Sequence, residues 1–154
     1  MKAKSSKPTN MNKSFTPKFR ETIPESSAYF RLFESTGWNQ TYEADIKELC
    51  TSISNSWYSL CAYTDEDELI GFGRIVSDGV LYAFICDMII HPAYQNQGIG
   101  STILKKLVQR CKEANIRVLW LFAAANKSGF YEKHGFIARP LDAPGMQLSL
   151  NNSE

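Results

Sequence analysis

The sequence predicts one mixed α/β domain whose mainly antiparallel sheet is flanked by helices. Three observations predict it. Strand-like runs over residues 57–64 and 68–77 are joined by an acidic turn, the longest apolar run covers residues 80–90, and an amphipathic helical pattern follows that run closely. With 154 residues, of which 44% are hydrophobic, the chain is long enough to bury a core within one domain.

The first residues differ in composition from the rest of the chain. Residues 1–18 contain five lysines among Ser, Thr, Asn and Pro and no acidic residue. Such a segment cannot bury enough apolar surface to order itself, so a flexible basic tail is expected over 1–18, with a single domain over 19–154. A targeting peptide is the weaker alternative, because the tail lacks an amphipathic arginine-rich pattern.

The first half of the domain predicts two helices and then an antiparallel meander. A strand broken by Pro17 is expected within residues 15–23, and the helical spacing after Pro24 runs until Gly37. A second helix is predicted over residues 41–55, with Ile46, Leu49, Cys50 and Ile53 as its apolar stripe. The two runs at 57–64 and 68–77 then predict paired strands.

The second half predicts a strand–helix–strand–helix–strand order. Residues 80–90 are predicted to form a central strand covered on both faces, in which Asp87 is the only charged residue. The next helix ends near Asn115, and its apolar stripe comprises Ile99, Ile103, Leu104, Leu107, Val108 and Cys111. A buried strand over 118–124, a short helix over 126–133 closed by Gly135, and two short strands near 136–139 and 146–150 complete the prediction.

Composition argues against several classes of protein. The formal net charge of +1 gives no general reason to expect a nucleic acid or an anionic membrane as partner. No apolar run approaches the length of a membrane span, and the N-terminus lacks the apolar stretch of a secretory signal. Four cysteines without a C-x-x-C pair favour reduced thiols in a cytoplasmic protein, and the two histidines lack metal-ligand spacing, so no metal is expected.

The stretch HPAYQNQGIG, residues 91–100, places a strand end, a glycine turn and a helix start close together. The start of a helix leaves backbone N–H groups free and carries partial positive charge, and glycine lets a ligand approach the main chain. An anion site, for phosphate or pyrophosphate, and a purely structural turn are both compatible with this pattern. A Walker loop is excluded because no Gly-Lys-Ser/Thr follows, and Ile103 stands where a dinucleotide fingerprint requires its third glycine.

The segment Gln95-Asn96-Gln97-Gly98-Ile99-Gly100 resembles the Gln/Arg-x-x-Gly-x-Gly/Ala turn of the GNAT superfamily of N-acetyltransferases. The block FYEKHGF about thirty residues later strengthens the resemblance, which extends from about Trp38 to Met146. It implies a splayed central strand pair that forms a V-shaped cleft for acetyl-CoA. It further implies acetyl transfer to a primary amine of a small molecule or protein by direct attack in a ternary complex, and it is compatible with a homodimer.

The resemblance also assigns residues to the cofactor. Main-chain groups of Met88, Ile89 and Ile90 would pair with the pantetheine arm, and an N–H near Ile89 would bind the thioester carbonyl. The pyrophosphate would lie on the backbone of Gln95, Asn96, Gln97, Gly98, Ile99, Gly100 and Ser101, and Asn126 would contact the CoA arm. Tyr131 matches the general acid that donates to the CoA sulfur, although its position between Phe130 and Phe136 is also typical of a packing aromatic.

The sequence leaves the role of Asp87 and the residues of the acceptor pocket open. Asp87 is either a general base or an anchor that pairs with Arg74, because an unpaired buried carboxylate is costly. Phe33, Trp38, Tyr42 and Phe84 are candidates to line the acceptor pocket, although each is also a candidate core aromatic. A non-catalytic acyl-CoA sensor or interaction module is the alternative function.

Overall fold

The computed structural model describes residues 15–150. Most of the predicted basic tail therefore lies outside the described residues. The described residues begin within the last part of that predicted tail. Phe15 packs edge-on against Tyr94 with 5.6 Å between ring centroids, and the first strand opens at Lys18.

A five-stranded sheet forms the centre of the molecule, in the order β1-β2-β3-β4-β5. Neighbouring strands are antiparallel except β4 and β5, which are parallel, so the predicted mixed and mainly antiparallel fold is confirmed. The elements are β1 (Lys18–Arg20), α1 (Ser26–Glu34), α2 (Asn39–Tyr42), α3 (Ile46–Ser54), β2 (Tyr58–Tyr63), β3 (Leu69–Ser77), β4 (Tyr82–Ile90), a 3-10 turn (Pro92–Tyr94), α4 (Ile99–Glu113), β5 (Val118–Leu121) and α5 (Ser128–Glu132).

Helices cover both faces of the sheet. The apolar stripe of α4 is buried as predicted, with Val108 only partly buried, and it packs on one face around Leu60, Ile75 and Ile85. On the other face, α1 and α3 bury Tyr29, Leu32, Phe33, Leu49 and Ile53 against Phe72 and Ile89. These two clusters make a three-layer molecule with β3 in the middle of the sheet.

The helix predicted over residues 41–55 is confirmed only from Ile46 to Ser54, because residues 41 and 42 belong to the separate short helix α2. Glu43 adopts a left-handed φ of 51° and ends α2. Asp45 then begins α3 with a capping box, in which its carboxylate accepts from the Glu48 N–H at 2.8 Å and Glu48 accepts from the Asp45 N–H at 2.9 Å. The cap turns Ile46 outward, so that residue is exposed rather than part of the buried stripe.

The strands near β4 are less covered than the sequence predicts. β5 ends at Leu121, where a strand to residue 124 was expected, and Val118 and Trp120 on one of its faces are more than a third exposed. Ala83 and Ile85 are buried on one face of β4, and Ile89 is buried on the other face, where Phe84, Cys86 and Asp87 are only half-buried. β4 is therefore not fully covered, and its open side is where the cavities described below are found.

The two short strands predicted near 136–139 and 146–150 are also wrong, since residues 133–150 contain neither strand nor helix. Their apolar side chains are 81–100% exposed at Ile137, Leu141, Met146, Leu148 and Leu150. Pro140 and Pro144 cannot donate to a strand ladder. Gly145 instead lies against Phe122, so close that an added Cβ would come within 2.7 Å of its ring. Alternating apolar residues form a strand only where an adjacent strand edge pairs with them.

Two negative findings apply to residues 15–150. None of their helices combines the length and apolar character needed to cross a bilayer. Within the same range, no three side chains from His, Cys, Asp and Glu are grouped so as to hold a metal ion.

Candidate active site

A β-bulge interrupts β4 opposite Gly73. Phe72 faces Ile89 and Arg74 faces Cys86, so Asp87 and Met88 together oppose the single residue between them on β3. Asp87 has a left-handed φ of 51°. The extra residue breaks the alternation of side chains, as bulges do. Ile85 and Met88 contact the core cluster that contains the buried residues of α4, and the consecutive residues Cys86 and Asp87 line a cavity, which Ile85 and Met88 also reach.

Beyond the bulge, β4 loses its neighbour on the β5 side. The parallel pairing covers only Tyr82–Ile85 with Val118–Leu121. Among residues 15–150, no strand pairs with that edge of β4 between Cys86 and Ile90. The pairing of β4 with β5 thus ends just before the bulge, as a splayed strand pair requires.

The alternation of the β3–β4 ladder determines which main-chain groups face this opening. The N–H of His91 donates to the carbonyl of Ile70 at 2.8 Å, which fixes a hydrogen-bonded pair. Two residues earlier, the main chain of Ile89 therefore faces Phe72 on β3, and that of Ile90 faces away from it. The Gln95 side chain donates to the Ile90 carbonyl at 3.1 Å, in agreement with this direction. The main-chain groups available in the cleft are thus those of Ile90 and the bulged Met88 rather than those of Ile89.

A first cavity of about 700 Å³ follows the end of β4 and the start of α4. Most of the predicted cofactor residues line it, namely Met88, Ile89, Ile90, Gln95, Asn96, Gly98, Ile99, Gly100, Ser101 and Tyr131. Gln97 and Asn126 do not line it. One end of this cavity is therefore formed by the glycine turn and the other by the open edge of β4.

The glycine turn presents main-chain groups to the first cavity. Gly98 has φ 80° and forms the N-cap of α4, and no acidic residue occurs in the first turn of that helix. An added Cβ at Gly98 would have no neighbour within 4 Å, so its backbone angle, rather than crowding, requires glycine there. Gly100 lies within the helix, where an added Cβ would make only ordinary contact, 3.5 Å from Ile90. The turn matches the physical requirements of a pyrophosphate site.

A charged residue that the sequence analysis missed also reaches this cavity. Lys127, immediately before α5, is the only Asp, Glu, Lys or Arg among the residues that line it. It is separated from the turn by about thirty residues of sequence, and only the return of the chain through β5 brings it back. A sequence pattern carries no signal for that approach.

A second cavity of about 820 Å³ lies between the helices α1–α3 and the open face of the sheet. All four predicted acceptor-pocket residues line it: Phe33, Trp38, Tyr42 and Phe84. Phe122, which was not predicted, also lines it, with its ring centroid 5.0 Å from that of Phe84. The two cavities share Trp38, Met88, Ala124 and Tyr131, so they meet beside the bulge.

Tyr131 stands at this junction. Its ring packs edge-on against Phe130, with 5.0 Å between centroids, and against Phe136 at 6.0 Å. Burial raises the pKa of the Tyr131 hydroxyl above its ordinary value. The side chain therefore remains a neutral O–H donor through the neutral pH range, while the neighbouring rings fix its direction.

Asp87 is paired in the structure. Its Oδ2 atom accepts from Arg74 Nε at 2.5 Å and from the Tyr29 hydroxyl at 3.2 Å. Arg74 also donates to the hydroxyl of Ser52 on α3 at 3.1 Å. Both members of the ion pair are largely buried, with side-chain exposures of 13% for Arg74 and 20% for Asp87. Of the two roles that the sequence leaves open for Asp87, the structure shows the pairing with Arg74.

Comparisons with known proteins agree with this geometry. The model of the acetyltransferase (GNAT) family matches residues 20–136. "Uncharacterized N-acetyltransferase ycf52" of Pyropia yezoensis is 33% identical over 119 residues, which cover 75% of this chain and 67% of that protein. The chain thus spans about two thirds of the length of such curated relatives.

Two solved structures have the same fold. A probable acetyltransferase, SA2161, from meticillin-resistant Staphylococcus aureus has a TM-score of 0.76 at 25% identity, covering 87% of this chain and 99% of that one. The GNAT family protein SP0256 from Streptococcus pneumoniae has a TM-score of 0.72 at 29% identity, covering 90% and 100% of the two chains.

Proposed function

Because the chain belongs to the acetyltransferase (GNAT) family, we propose that it transfers an acetyl group from acetyl-CoA to a primary amine of a small molecule or protein, by direct attack in a ternary complex. The observation that carries this proposal is the meeting of two cavities at Met88 and Tyr131. One cavity has a turn suited to a pyrophosphate and the other has an aromatic lining. A thioester in the first and an amine in the second would react at their junction.

The first cavity supports a specific placement of the cofactor. The free N–H groups at the start of α4, between Gln95 and Ser101, would hold the pyrophosphate. The pantetheine arm would take the place of the missing strand along the unpaired edge of β4, where the main chain of Ile90 and Met88 would pair with it. A cleft-facing N–H of this stretch stabilises the negative charge that develops on the thioester oxygen.

The chemical step requires a neutral amine and a protonated leaving group. The amine nitrogen attacks the thioester carbon, the C–N bond forms, and the tetrahedral intermediate then expels the CoA thiolate. Tyr131 donates its O–H to the sulfur as the C–S bond breaks, and the amine proton leaves to a base or to water. Because a phenol is a weaker acid than a thiol, Tyr131 acts chiefly by hydrogen bonding to the developing thiolate.

A CoA-thiol release screen tests the proposal. The acceptor panel covers arylalkylamines, polyamines, amino acids, aminoglycosides and lysine peptides, and calorimetry measures acetyl-CoA binding in parallel. Amine-dependent thiol release together with an acetylated product supports the enzyme. Tight acetyl-CoA binding without turnover on any amine would favour the alternative, a non-catalytic acyl-CoA sensor.

The pH dependence follows from the raised pKa of Tyr131. The acid form of this residue is needed, and it is present at every pH below its pKa, which burial places above the ordinary value of about 10. The amine must instead lose its proton, so kcat/KM is expected to rise from about pH 6 to 9 without falling again below about pH 10. Rates across this range, at saturating acetyl-CoA, provide the measurement. An alkaline decrease centred near pH 8 would contradict the assignment of Tyr131.

Lys127 is expected to bind a phosphate group of CoA. Lys127→Ala should weaken CoA binding about 2- to 5-fold, because an exposed charge contributes up to about 1 kcal/mol. Lys127→Arg should retain most of the affinity, and the difference should shrink in high salt. Calorimetric titrations at two ionic strengths measure both effects. Lys105→Ala, an exposed lysine on α4 outside the cavity, is the matched control, and an equal loss of affinity in that variant would contradict a specific contact.

A further inference from the structure

We propose that Asp87 is a positioning residue that, with Arg74 and Tyr29, latches the bulge of β4 and thereby holds the thioester-binding edge in place. This inference rests on the proposed function, since it concerns how the same cleft is kept in its working shape. It assigns to Asp87 a role other than that of general base. We call the three side chains the bulge latch.

The geometry of Asp87 suits an anchor better than a proton acceptor. One carboxylate oxygen already accepts from two donors, Arg74 on β3 and Tyr29 on α1. If Asp87 took a proton from the amine, the largely buried guanidinium of Arg74 would lose its counter-charge, which is costly in an interior. An aspartate is also one of the few residues that tolerate a left-handed backbone, which Asp87 adopts at the bulge.

The bulge latch joins the bulge to α1 and α3, two of the helices that wall the second cavity. Arg74 also donates a hydrogen bond to the Ser52 hydroxyl on α3 at 3.1 Å. Tyr29 lies on α1, where its ring is 6.0 Å from that of the cavity residue Phe33. One carboxylate therefore connects the bulge to the elements that position the acceptor.

The opposite face of the bulge is held by close packing. At Gly73, an added Cβ would lie 2.8 Å from Ile103 on α4 and 3.0 Å from the Met88 sulfur. The absence of a side chain at Gly73 lets α4 and Met88 approach β3 directly. The bulge is thus fixed by packing on one face and by the bulge latch on the other.

Displacement of the bulge would move the catalytic geometry itself. Met88 follows Asp87 directly, and its own main chain, together with that of Ile90, faces the cleft. An error of about 1 Å in the placement of a reacting group lowers a rate by about 100-fold. Loss of the bulge latch should therefore impair both acetyl-CoA binding and turnover, whereas loss of a general base should impair turnover alone.

Comparison of Asp87→Ala with a double variant that removes both buried charges separates the anchor role from the general-base role. Asp87→Ala removes the anchor and should raise the Kd for acetyl-CoA and lower kcat/KM, the latter by about 100-fold. The double variant Arg74→Gln with Asp87→Asn keeps a side-chain hydrogen bond without a buried charge, so it should recover most of both losses. Tyr29→Phe removes one hydroxyl and should change each parameter about 2- to 10-fold.

The measurements are calorimetric Kd, steady-state kcat and KM, and the pH profile of kcat/KM. Tyr29, Arg74 and Cys86 are the titratable neighbours of Asp87, and the profile should keep its shape in the double variant. Two results would overturn the proposal. In the first, the double variant is as inactive as Asp87→Ala. In the second, Asp87→Ala binds acetyl-CoA as tightly as the parent protein, but its kcat/KM no longer rises with pH. If Asp87→Ala does not fold, the double variant and Tyr29→Phe still decide the question.

A second control separates this inference from the proposed function. Asp65→Asn removes one exposed carboxylate from the β2–β3 turn and should leave both parameters unchanged. If the parent protein binds acetyl-CoA but acetylates no amine, the proposed function fails. The bulge latch still predicts the affinity losses in that case. An unchanged Kd for acetyl-CoA in both Asp87→Ala and Tyr29→Phe would therefore contradict the bulge latch but not the proposed function.

Discussion

Replacing Tyr131 with phenylalanine is expected to lower kcat by about 100- to 10,000-fold, the range in which a positioned proton donor contributes. The substitution removes only the hydroxyl, so the aromatic contacts with Phe130 and Phe136 remain and the local fold should persist. Without this hydrogen bond, the negative charge that develops on the CoA sulfur is no longer stabilised. The affinity for acetyl-CoA should change little, because the proposed binding site uses mainly main-chain groups of the turn and of β4.

Single-turnover thiol release and calorimetry on the same preparations measure the two quantities separately. Tyr82→Phe is the matched control, since Tyr82 is half exposed, stacks on Trp120 at 5.1 Å and lines neither cavity. A loss of less than about fivefold in Tyr131→Phe would show that the hydroxyl is not the acid. So would an equal loss in both variants.

The second large effect concerns the glycine turn. Gly100→Ala should weaken CoA binding by about 10- to 100-fold, the value of one hydrogen bond to a charged group, because the new methyl group obstructs the approach of the pyrophosphate. Stability should be nearly unchanged, since the added Cβ lies 3.5 Å from its nearest protein atom. Gly98→Ala should lose comparable affinity and, in addition, about 1–2 kcal/mol of stability, because alanine is strained at φ 80°.

Gly79→Ala is the matched control for the strained position. Gly79 has φ 76° and lies in the β3–β4 turn, and it lines neither cavity. It should lose stability like Gly98→Ala while keeping full affinity for CoA. Thermal melts and calorimetric titrations of the three variants distinguish backbone strain from ligand exclusion. Equal affinities in all three would contradict a pyrophosphate site at residues 95–101.

The sequence predicted those parts of the site that depend on local pattern. The turn at residues 95–100 and helix α4 are recognisable because a glycine-rich break and an apolar stripe are both encoded within a few turns of chain. Phe33, Trp38, Tyr42 and Phe84 were predicted as candidates to line one pocket, and all four line the second cavity.

The parts that depend on pairing between distant segments could not be predicted. The bulge is a property of strand register. Only the change of register between the pairs Phe72–Ile89 and Arg74–Cys86 shows that β4 contains an extra residue. Periodicity also favoured one helix where Glu43 and the Asp45 cap make two, and two strands where residues 133–150 find no partner. Phe122 and Lys127 reach the cavities only because β5 returns the chain there.

In the proposed function, backbone groups at the N-terminus of α4 hold the diphosphate of CoA. Calorimetric titration of CoA into the full chain, repeated with Gly100→Ala, measures this directly. The expected result is one CoA bound per chain by the unaltered protein, with much weaker binding in the variant at unchanged melting temperature. A folded, unaltered protein that gives neither heat nor thermal stabilisation with CoA would contradict it.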